Sequence, residues 1–498
     1  MQITLDHSHL DDYRMFLKIK QLPTYKFTGN TATFPDEYVE RLGICHANTT
    51  PTDYEPISGL FDYQEAIART AITKRKYCVF ADCGLGKTLI FLEFARHAAM
   101  SLPPGKCVLI VSPLMVIQQT IDEAHRFYGG NLPIEQIAAS QLPEWLATDG
   151  HADSRMPNRI GITNYESLRD NVPKGCLGAL ILDESSMLKS HYGKWGTKAI
   201  ELGRGLDWKM ACSGTPAPND RIEYANHAVF MDAFPTVNSF LARFFVNRGQ
   251  TQERWSIKPH ALEPFYRALS HWSIFLTNPA TYGWKDNCGT LPPINVHVHD
   301  VEMTDEQINL THKATGDLFA CRMGGITNRA TLASIGKGWH KGKNIASNKY
   351  EFMRSLISSW PDESTLIWCI YNKEQDLLER TFPEAGSIRG DTPHEQRQTL
   401  VDDFKAGRLR TLISKPKILG FGLNLERATR QVFSGLQDSY ESYYQAVKRS
   451  NRYGATRPLN VHIPVTDIEL PMVENVIRKA HLVQRDTEQQ ERIFCKCS

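Results

Sequence analysis

The segment CVFADCGLGKTLIFLEFA, residues 78–95, constrains the fold more than any other part of the chain. An apolar run, CVFA, turns at Gly84-Leu85-Gly86 and continues through Lys87-Thr88 into a stretch with helical periodicity. A buried strand that feeds a glycine turn and then a helix aims backbone N–H groups and the positive end of the helix at one spot, which suits a phosphate. Lys87 would then neutralise β/γ-phosphate charge and Thr88 would hold Mg²⁺, so the segment predicts ATP bound with Mg²⁺. The cradle is Gly84, Leu85, Gly86, Lys87 and Thr88. The full pattern asks for glycine at position 81, where this chain has Ala81. A glycine-rich turn that binds nothing is the bland alternative, and the strand before and helix after count against it.

The rest of the chain supplies the sheet that such a turn needs. Short apolar runs alternate with helical stretches: YCVFA (77–81), CVLIV (107–111), IGIT (160–163), ALILD (179–183) and KMACSG (209–214). Continuous apolar runs between helices are the mark of a parallel sheet covered on both faces. The rhythm stops over 231–345, where aromatics and prolines are frequent and GGITNRA and GKGWHKGKN read as loops. It resumes with STLIWCIY (364–371), RTLISK (410–415), RQVFSG (430–435) and NVHIPV (460–465). At the start, Phe27, Thr31 and Phe34 suggest a small strand-containing module that ends in a helix at Asp36–Leu42. The expectation is an α/β chain divided as 1–50 (N-terminal α+β module), 51–230 (first lobe), 231–345 (mostly helical insert and linker), 346–470 (second lobe) and 471–498 (C-terminal helix and tail).

Two further groups complete the predicted chemistry. ALILDESSMLKS (179–190) places Asp183 and Glu184 at a strand end. There Asp183 can reach Mg²⁺ held by Thr88, directly or through water, and Glu184 can polarise the attacking water. Acidic pairs at strand ends are often merely solvated, but this one follows the glycine turn with the sheet strands in between. Ile121-Asp122-Glu123-Ala124-His125 has similar letters, yet its surroundings read as an amphipathic helix, so the metal is assigned to Asp183. The segment SYYQAVKRSNRYGATRP (442–458) spaces Gln445, Arg449 and Arg452 four and three apart, on one face of a helix expected to end at Gly454. Arginines delivered to the γ-phosphate suit the transition state of ATP hydrolysis, whereas a solvated basic face is the alternative.

Composition bounds the rest. With 498 residues, 41% hydrophobic and 22% charged, the chain is long enough for about three globular domains. No stretch approaches the ~18 uninterrupted apolar residues of a membrane helix, and MQITLDHSHLDDYR lacks a secretion signal. A net charge of +2 announces no global nucleic-acid field, so any such contact must be local, with Lys337–Lys343 and Lys405–Arg410 as candidate patches set against solvated surface. Eleven cysteines without a repeating spacing fit reduced thiols in a cytoplasm, Cys78, Cys83, Cys107 and Cys212 reading as packed, and a CxC at Cys495–Cys497 is a weak metal signal.

Beyond these readings, an ordered set of segments resembles superfamily-two helicases, and among them the Swi/Snf-like translocases. Tyr63-Gln64 resembles the motif that reads adenine; Val111-Ser112-Pro113-Leu114 and Thr163-Asn164-Tyr165-Glu166 resemble the motifs after the P-loop. Ser213-Gly214-Thr215-Pro216 is similar to the motif that couples nucleotide state to nucleic-acid grip. Leu291-Pro292-Pro293, Met303-Thr304 with Gln307, and Ser347-Asn348-Lys349 resemble the Swi/Snf linker. Gly420-Phe421-Gly422-Leu423-Asn424-Leu425 and Gln445-Ala446 with Arg449, Arg452 and Gly454 resemble the last two motifs. The match covers roughly 60–465. It implies two RecA-like P-loop lobes, adenine contact at Gln64, and phosphate-backbone contacts near Ser112, Pro113, Ser213, Thr215, Gly420, Gly422 and Asn424, which carry little sequence information. It further implies movement on duplex or branched DNA, with no membrane partner and no protein partner named by the sequence.

The resemblance has departures. DESS replaces the usual DEAH or DEGH, Lys448 stands in place of an acid and Ala455 in place of glutamine, and the stretch from Ser414-Lys415-Pro416 runs one residue long. The short form is that of bacterial or phage members, which would act in the cytoplasm. The N-terminal module loosely resembles an accessory domain of annealing helicases; a structural cap on the first lobe is the preferred reading. Three functions compete: a DNA translocase, a strand-separating helicase on DNA or RNA, and a nucleotide-dependent DNA clamp that hydrolyses poorly.

Overall fold

The computed structural model describes residues 2–22, 25–34, 38, 42–43, 53–148, 156–169, 172–189, 193–249, 255–285, 291–315, 326–419, 425–436, 439–452 and 455–497. The chain forms two compact units, Met1–Asn287 with Asp486–Ser498, and Cys288–Arg485. Each is an α/β unit built on a parallel sheet, as the apolar runs predict.

In the first unit the described sheet has seven parallel strands in the order Ser273–Leu276, Lys76–Ala81, Trp208–Ser213, Leu177–Leu182, Cys107–Ser112, Arg159–Asn164 and Ile134–Gln136. Its inner strands are closed to solvent on both faces, so they read as unbroken apolar runs. The helix after the glycine turn, Lys87–Ser101, is apolar nearly all round because it lies against the sheet under further cover. Its one fully buried charge, Glu93, is satisfied by Tyr54 and Tyr128 hydroxyls at 2.7 and 2.9 Å and by Arg96 Nε at 2.9 Å. The N-terminal module is a three-stranded antiparallel sheet, Gln2–Thr4, Thr31–Thr33 and Lys26–Thr28, with the helix Leu10–Lys20. The helix expected at Asp36–Leu42 falls largely outside the described residues.

In the second unit six described parallel strands run Ile294–Asp300, Leu459–Val465, Arg430–Phe433, Thr365–Trp368, Thr411–Ser414 and Gly386–Ser387. The helix Leu470–Cys497 then forms a single element; its first part, through Arg485, belongs to this unit and its last part to the other.

The stretch 231–345, expected as a mostly helical insert and linker, also supplies a strand to each sheet. Ser273–Leu276 pairs with Cys78–Ala81 and makes the edge of the first sheet. Ile294–Asp300 pairs in parallel with Leu459–Val465 and makes the edge of the second. The helices Val237–Phe244, Leu262–Ser270, Asp305–Thr315 and Ile326–Gly336 fit the expected helical character, and the last takes in the ITNRA of the supposed GGITNRA loop. GKGWHKGKN folds in part as a two-stranded hairpin, Trp339–His340 with Lys343–Asn344. Among the described residues no helix is long and apolar enough to cross a membrane.

Candidate nucleotide site

The glycine turn sits where the strand Lys76–Ala81 ends and the helix Lys87–Ser101 begins. Gly84 and Gly86 take positive φ values of 91° and 65°. Gly86 sits in a backbone region that disfavours other residues, and a Cβ there would lie 2.1 Å from Gln64 Nε2, so a side chain would also displace that amide. Gln64 is itself buried, accepting the Phe61 N–H at 2.9 Å, while Tyr63 donates to the Leu85 carbonyl at 3.2 Å. The residue expected to read adenine therefore packs directly on the turn. Lys87 Nζ donates to the carbonyls of Ala81 and Asp82 at 2.8 and 3.2 Å, so two strand-end carbonyls hold the cation over the turn. Thr88 is half-buried in the first turn of the helix.

Asp183 and Glu184 follow the strand Leu177–Leu182, two places along the sheet from the P-loop strand. Burial pushes Asp183 up to about 6, the neighbouring Glu184 charge adding to the rise, while the Ser112 hydrogen bond and the Lys87 cation oppose it. Ser112 Oγ donates to Asp183 Oδ2 at 2.8 Å, and Tyr165 Oη donates to the Asp183 carbonyl at 2.7 Å. The hydroxyl of Ser112, a residue expected among the nucleic-acid contacts, is fully buried and spent on the acid. Pro113 beside it is half-buried and leads to exposed Leu114 and Met115.

Glu184 adopts φ 49°, ψ 53°, a left-handed conformation for a residue with a side chain. Its Oε1 accepts Ser213 Oγ at 3.0 Å and Ser186 Oγ at 3.1 Å. Ser213 Oγ also accepts the Thr215 N–H at 3.0 Å. The segment Ser213–Thr215 is thus tied to the glutamate by one hydroxyl. The next residue, Ser185, lies 2.9 Å from His227 Nε2; burial lowers that imidazole to about 4, which keeps it neutral. The sequence marks Ser185 as a departure, a hydroxyl after Glu184, but gives no signal for His227, because 42 positions separate the two. The decoy Asp122 and Glu123 lie on the helix Ile117–Tyr128, bonded to Gln118 and Gln119 one turn back.

In the second unit the expected helix through Arg452 is shorter, spanning Tyr440–Val447. Gln445 is on it; Arg449 and Arg452 lie in the turns that follow, and Gly454 is outside the described residues. The departure has a physical source in Gln431, whose amide donates to the Ala446 carbonyl at 3.1 Å and to Ser450 Oγ at 2.8 Å, pulling the chain onto the strand Arg430–Phe433. Gln445 and Arg449 are buried. Gly420, Gly422 and Asn424 lie outside the described residues. The basic patch at Lys337–Lys343 is broken by Lys337, which is buried and paired with Glu469 at 3.2 Å, leaving Lys341 and Lys343 exposed; Arg408 of the other patch pairs with Asp403.

The donor set suits a magnesium nucleotide. A left-handed glycine cradle opens onto a helix N-terminus, and Lys87 stands within electrostatic reach of a buried carboxylate whose ionisation is unfavourable without a cation. Because the folded pKa of Asp183 exceeds its ordinary 3.8, its ionisation works against folding: its contribution is full below about pH 4 and is lost as pH rises through 6. Asp183→Asn should therefore raise the melting temperature at pH 8, measured without nucleotide or divalent cation, and change it little near pH 4. A lower melting temperature at pH 8 would contradict this account of the carboxylate.

Residues 63–351 match the family model described as SNF2-related domain, and residues 348–454 match that described as Helicase conserved C-terminal domain. Protein p41 of Acyrthosiphon pisum secondary endosymbiont phage 1 is 23% identical over 441 residues, 80% of this chain and 91% of that protein. YwqA of Bacillus subtilis, a candidate ATP-dependent helicase/translocase, is 23% identical over 424 residues, 78% of this chain but 44% of that protein, so the chain spans less than half of this longer relative. Among solved structures, the SWI2/SNF2 ATPase core of Sulfolobus solfataricus in complex with dsDNA is 18% identical, with 89% of this chain and 96% of that chain covered at a TM-score of 0.38, too low a score to argue from.

Proposed function

The chain belongs to the SNF2-related family of helicase-type, nucleic-acid-dependent ATPases, and on that premise we propose that it is a translocase that couples ATP hydrolysis to movement along duplex or branched DNA. One observation carries the coupling: the Ser213 hydroxyl donates to Glu184 and accepts from Thr215. A shift of the Ser213–Thr215 backbone on binding a DNA phosphate would move the group that handles water, and a change at the phosphate would be felt in the reverse direction.

In this reading Lys87 leaves its two carbonyl partners to neutralise the phosphates, and Gln64 contacts adenine. Thr88 and Asp183 would hold Mg²⁺, which neutralises phosphate charge when bound. Ser112 keeps Asp183 aimed, and Tyr165 fixes the backbone behind it. Glu184 orients and polarises the attacking water. Arg449, Arg452 and Gln445 are proposed to act on the same transition state. Contacts to DNA phosphates are proposed at Pro113, Thr215, Gly420, Gly422 and Asn424, which would read no sequence.

The test is steady-state ATPase activity at one fixed salt concentration with no nucleic acid, single-stranded DNA, duplex DNA, forked DNA or RNA, followed by displacement of a third strand from a triplex. Strong stimulation by duplex or forked DNA with triplex displacement is the expected result. Stimulation by single strands or RNA alone would favour a strand-separating helicase. Turnover indifferent to every nucleic acid would overturn the motor reading.

A further inference from the structure

We propose that His227 is a positioning residue for ATP hydrolysis, holding Glu184 in place through the hydroxyl of Ser185. The inference rests on the reading of Glu184 as the residue that polarises water.

Glu184 occupies a left-handed backbone conformation that a residue with a Cβ adopts only when its surroundings over-determine it. On one side its N–H donates to Asp183 Oδ1 at 2.9 Å. On the other the chain enters the short turn Ser185–Leu188, and the helix Tyr224–Phe230 grips that turn at both ends. His227 Nε2 lies 2.9 Å from Ser185 Oγ, and the adjacent Asn226 donates from Nδ2 to the Leu188 carbonyl at 2.6 Å. All four residues are buried. Gly196 makes room for the second grip, since a Cβ there would lie 2.6 Å from Asn226 Nδ2.

The His227 ring has a second contact. Its edge meets Phe80 at 5.3 Å and 89°, and Phe80 belongs to the strand that delivers the phosphate turn. The imidazole is thus referenced to the P-loop strand, and its hydrogen bond passes that reference to the residue next to Glu184. An alanine or glycine after the glutamate would have no hydroxyl to receive it; the serine of DESS does. Two carbons and a peptide link separate Ser185 Oγ from the Glu184 Cα, so losing the bond frees the turn without removing any group that touches ATP. A displacement of about 1 Å at a group that orients the reacting water costs up to about a hundredfold in rate.

The experiment uses the full chain, with steady-state ATP turnover in the presence of the most stimulating nucleic acid and melting temperature as a check on folding. Ser185→Ala, which removes one oxygen, should lower kcat on the order of tenfold with KM for ATP unchanged. His227→Ala should do at least as much, and the double variant should be no worse than His227→Ala, because both remove one interaction. His227→Gln can place an amide nitrogen near the Nε2 position and should recover most of the lost kcat. Unchanged kcat in folded Ser185→Ala, additive losses in the double variant, or losses confined to KM would each overturn the proposal. Glu184→Gln in the same assay separates the two levels. If it retains turnover, the reading of Glu184 fails and this inference with it; if it is inactive while Ser185→Ala and His227→Ala are not impaired, the inference alone fails.

Discussion

Glu184→Gln is expected to lower ATP turnover on the order of a thousandfold while leaving ATP binding intact, the range set by loss of a general base. The substitution is nearly isosteric. The side-chain amide carbonyl introduced by E184Q can still accept from Ser213 and Ser186, which donate to Oε1 in the native chain at 3.0 and 3.1 Å. The geometry of the turn is therefore kept and only the charge is lost. Removing that charge also relieves Asp183, whose ionisation the neighbouring glutamate opposes. ATP affinity should hold or rise, measured by equilibrium binding of a labelled nucleotide with Mg²⁺. A clamp that hydrolyses poorly would show little difference between the two chains. Loss of binding together with turnover would mean that Glu184 holds the nucleotide and does not act on water.

The second large effect concerns stability. Glu469→Ala should destabilise the second unit by about 3–5 kcal/mol, the range for breaking a buried ion pair from one side. Glu469 sits fully buried between two fully buried lysines, Lys337 at 3.2 Å and Lys349, which also donates to the Ser434 carbonyl at 3.0 Å. Two glycines accommodate the cluster: a Cβ at Gly336 would lie 2.7 Å from Glu469, and one at Gly435 would lie 2.2 Å from Lys337. Without the carboxylate, two cations share one dry space. The lysines hold the glutamate below its ordinary range, against the opposing effect of its own burial. With the folded pKa depressed, its stabilising contribution is present above about pH 4.3 and is lost as pH falls through the folded value. Urea unfolding at pH 7 measures the loss, and a triple variant with Glu469→Leu, Lys337→Met and Lys349→Met should recover much of it. A midpoint unchanged in Glu469→Ala would mean that the cluster is hydrated and not a structural core.

These two residues differ in how far they could be read beforehand. Asp183 and Glu184 follow four apolar residues that end a strand, and their neighbours in sequence suffice to place them. Glu469 has no such context. Its partner Lys349 lies 120 positions away, and Lys337 stands in a lysine-rich stretch that resembles a surface patch. Charge clustering along the chain does not say which members will be enclosed. The same holds for the Ser112 hydroxyl, which the resemblance placed among the nucleic-acid contacts and whose partner, Asp183, lies 71 positions on.

The strands at the sheet edges show a related gap. SIFL at 273–276 is a four-residue run inside an aromatic-rich stretch, and INVHVHD at 294–300 alternates apolar and polar residues with Val296 and Val298 exposed. INVHVHD does not resemble the unbroken apolar runs of the inner strands, because an edge strand is covered on fewer sides, whereas SIFL is buried throughout and is obscured by the aromatic stretch around it. The helix through Arg449 and Arg452 was overread for the opposite reason. Its spacing is helical, yet Gln431 competes for the backbone and side chains after Val447.

The sequence by itself determined the strand–glycine turn–helix whose shape suits a phosphate, the strand-end acids, and the two parallel sheets, since periodicity and turn chemistry are local properties that neighbouring residues carry. Only the tertiary structure decided which hydroxyl aims Asp183, which histidine grips the turn after Glu184, which lysines are buried, and which short runs complete each sheet. Those outcomes depend on what distant segments bring within about 3 Å, the reach of a hydrogen bond, and no spacing along one chain encodes that distance.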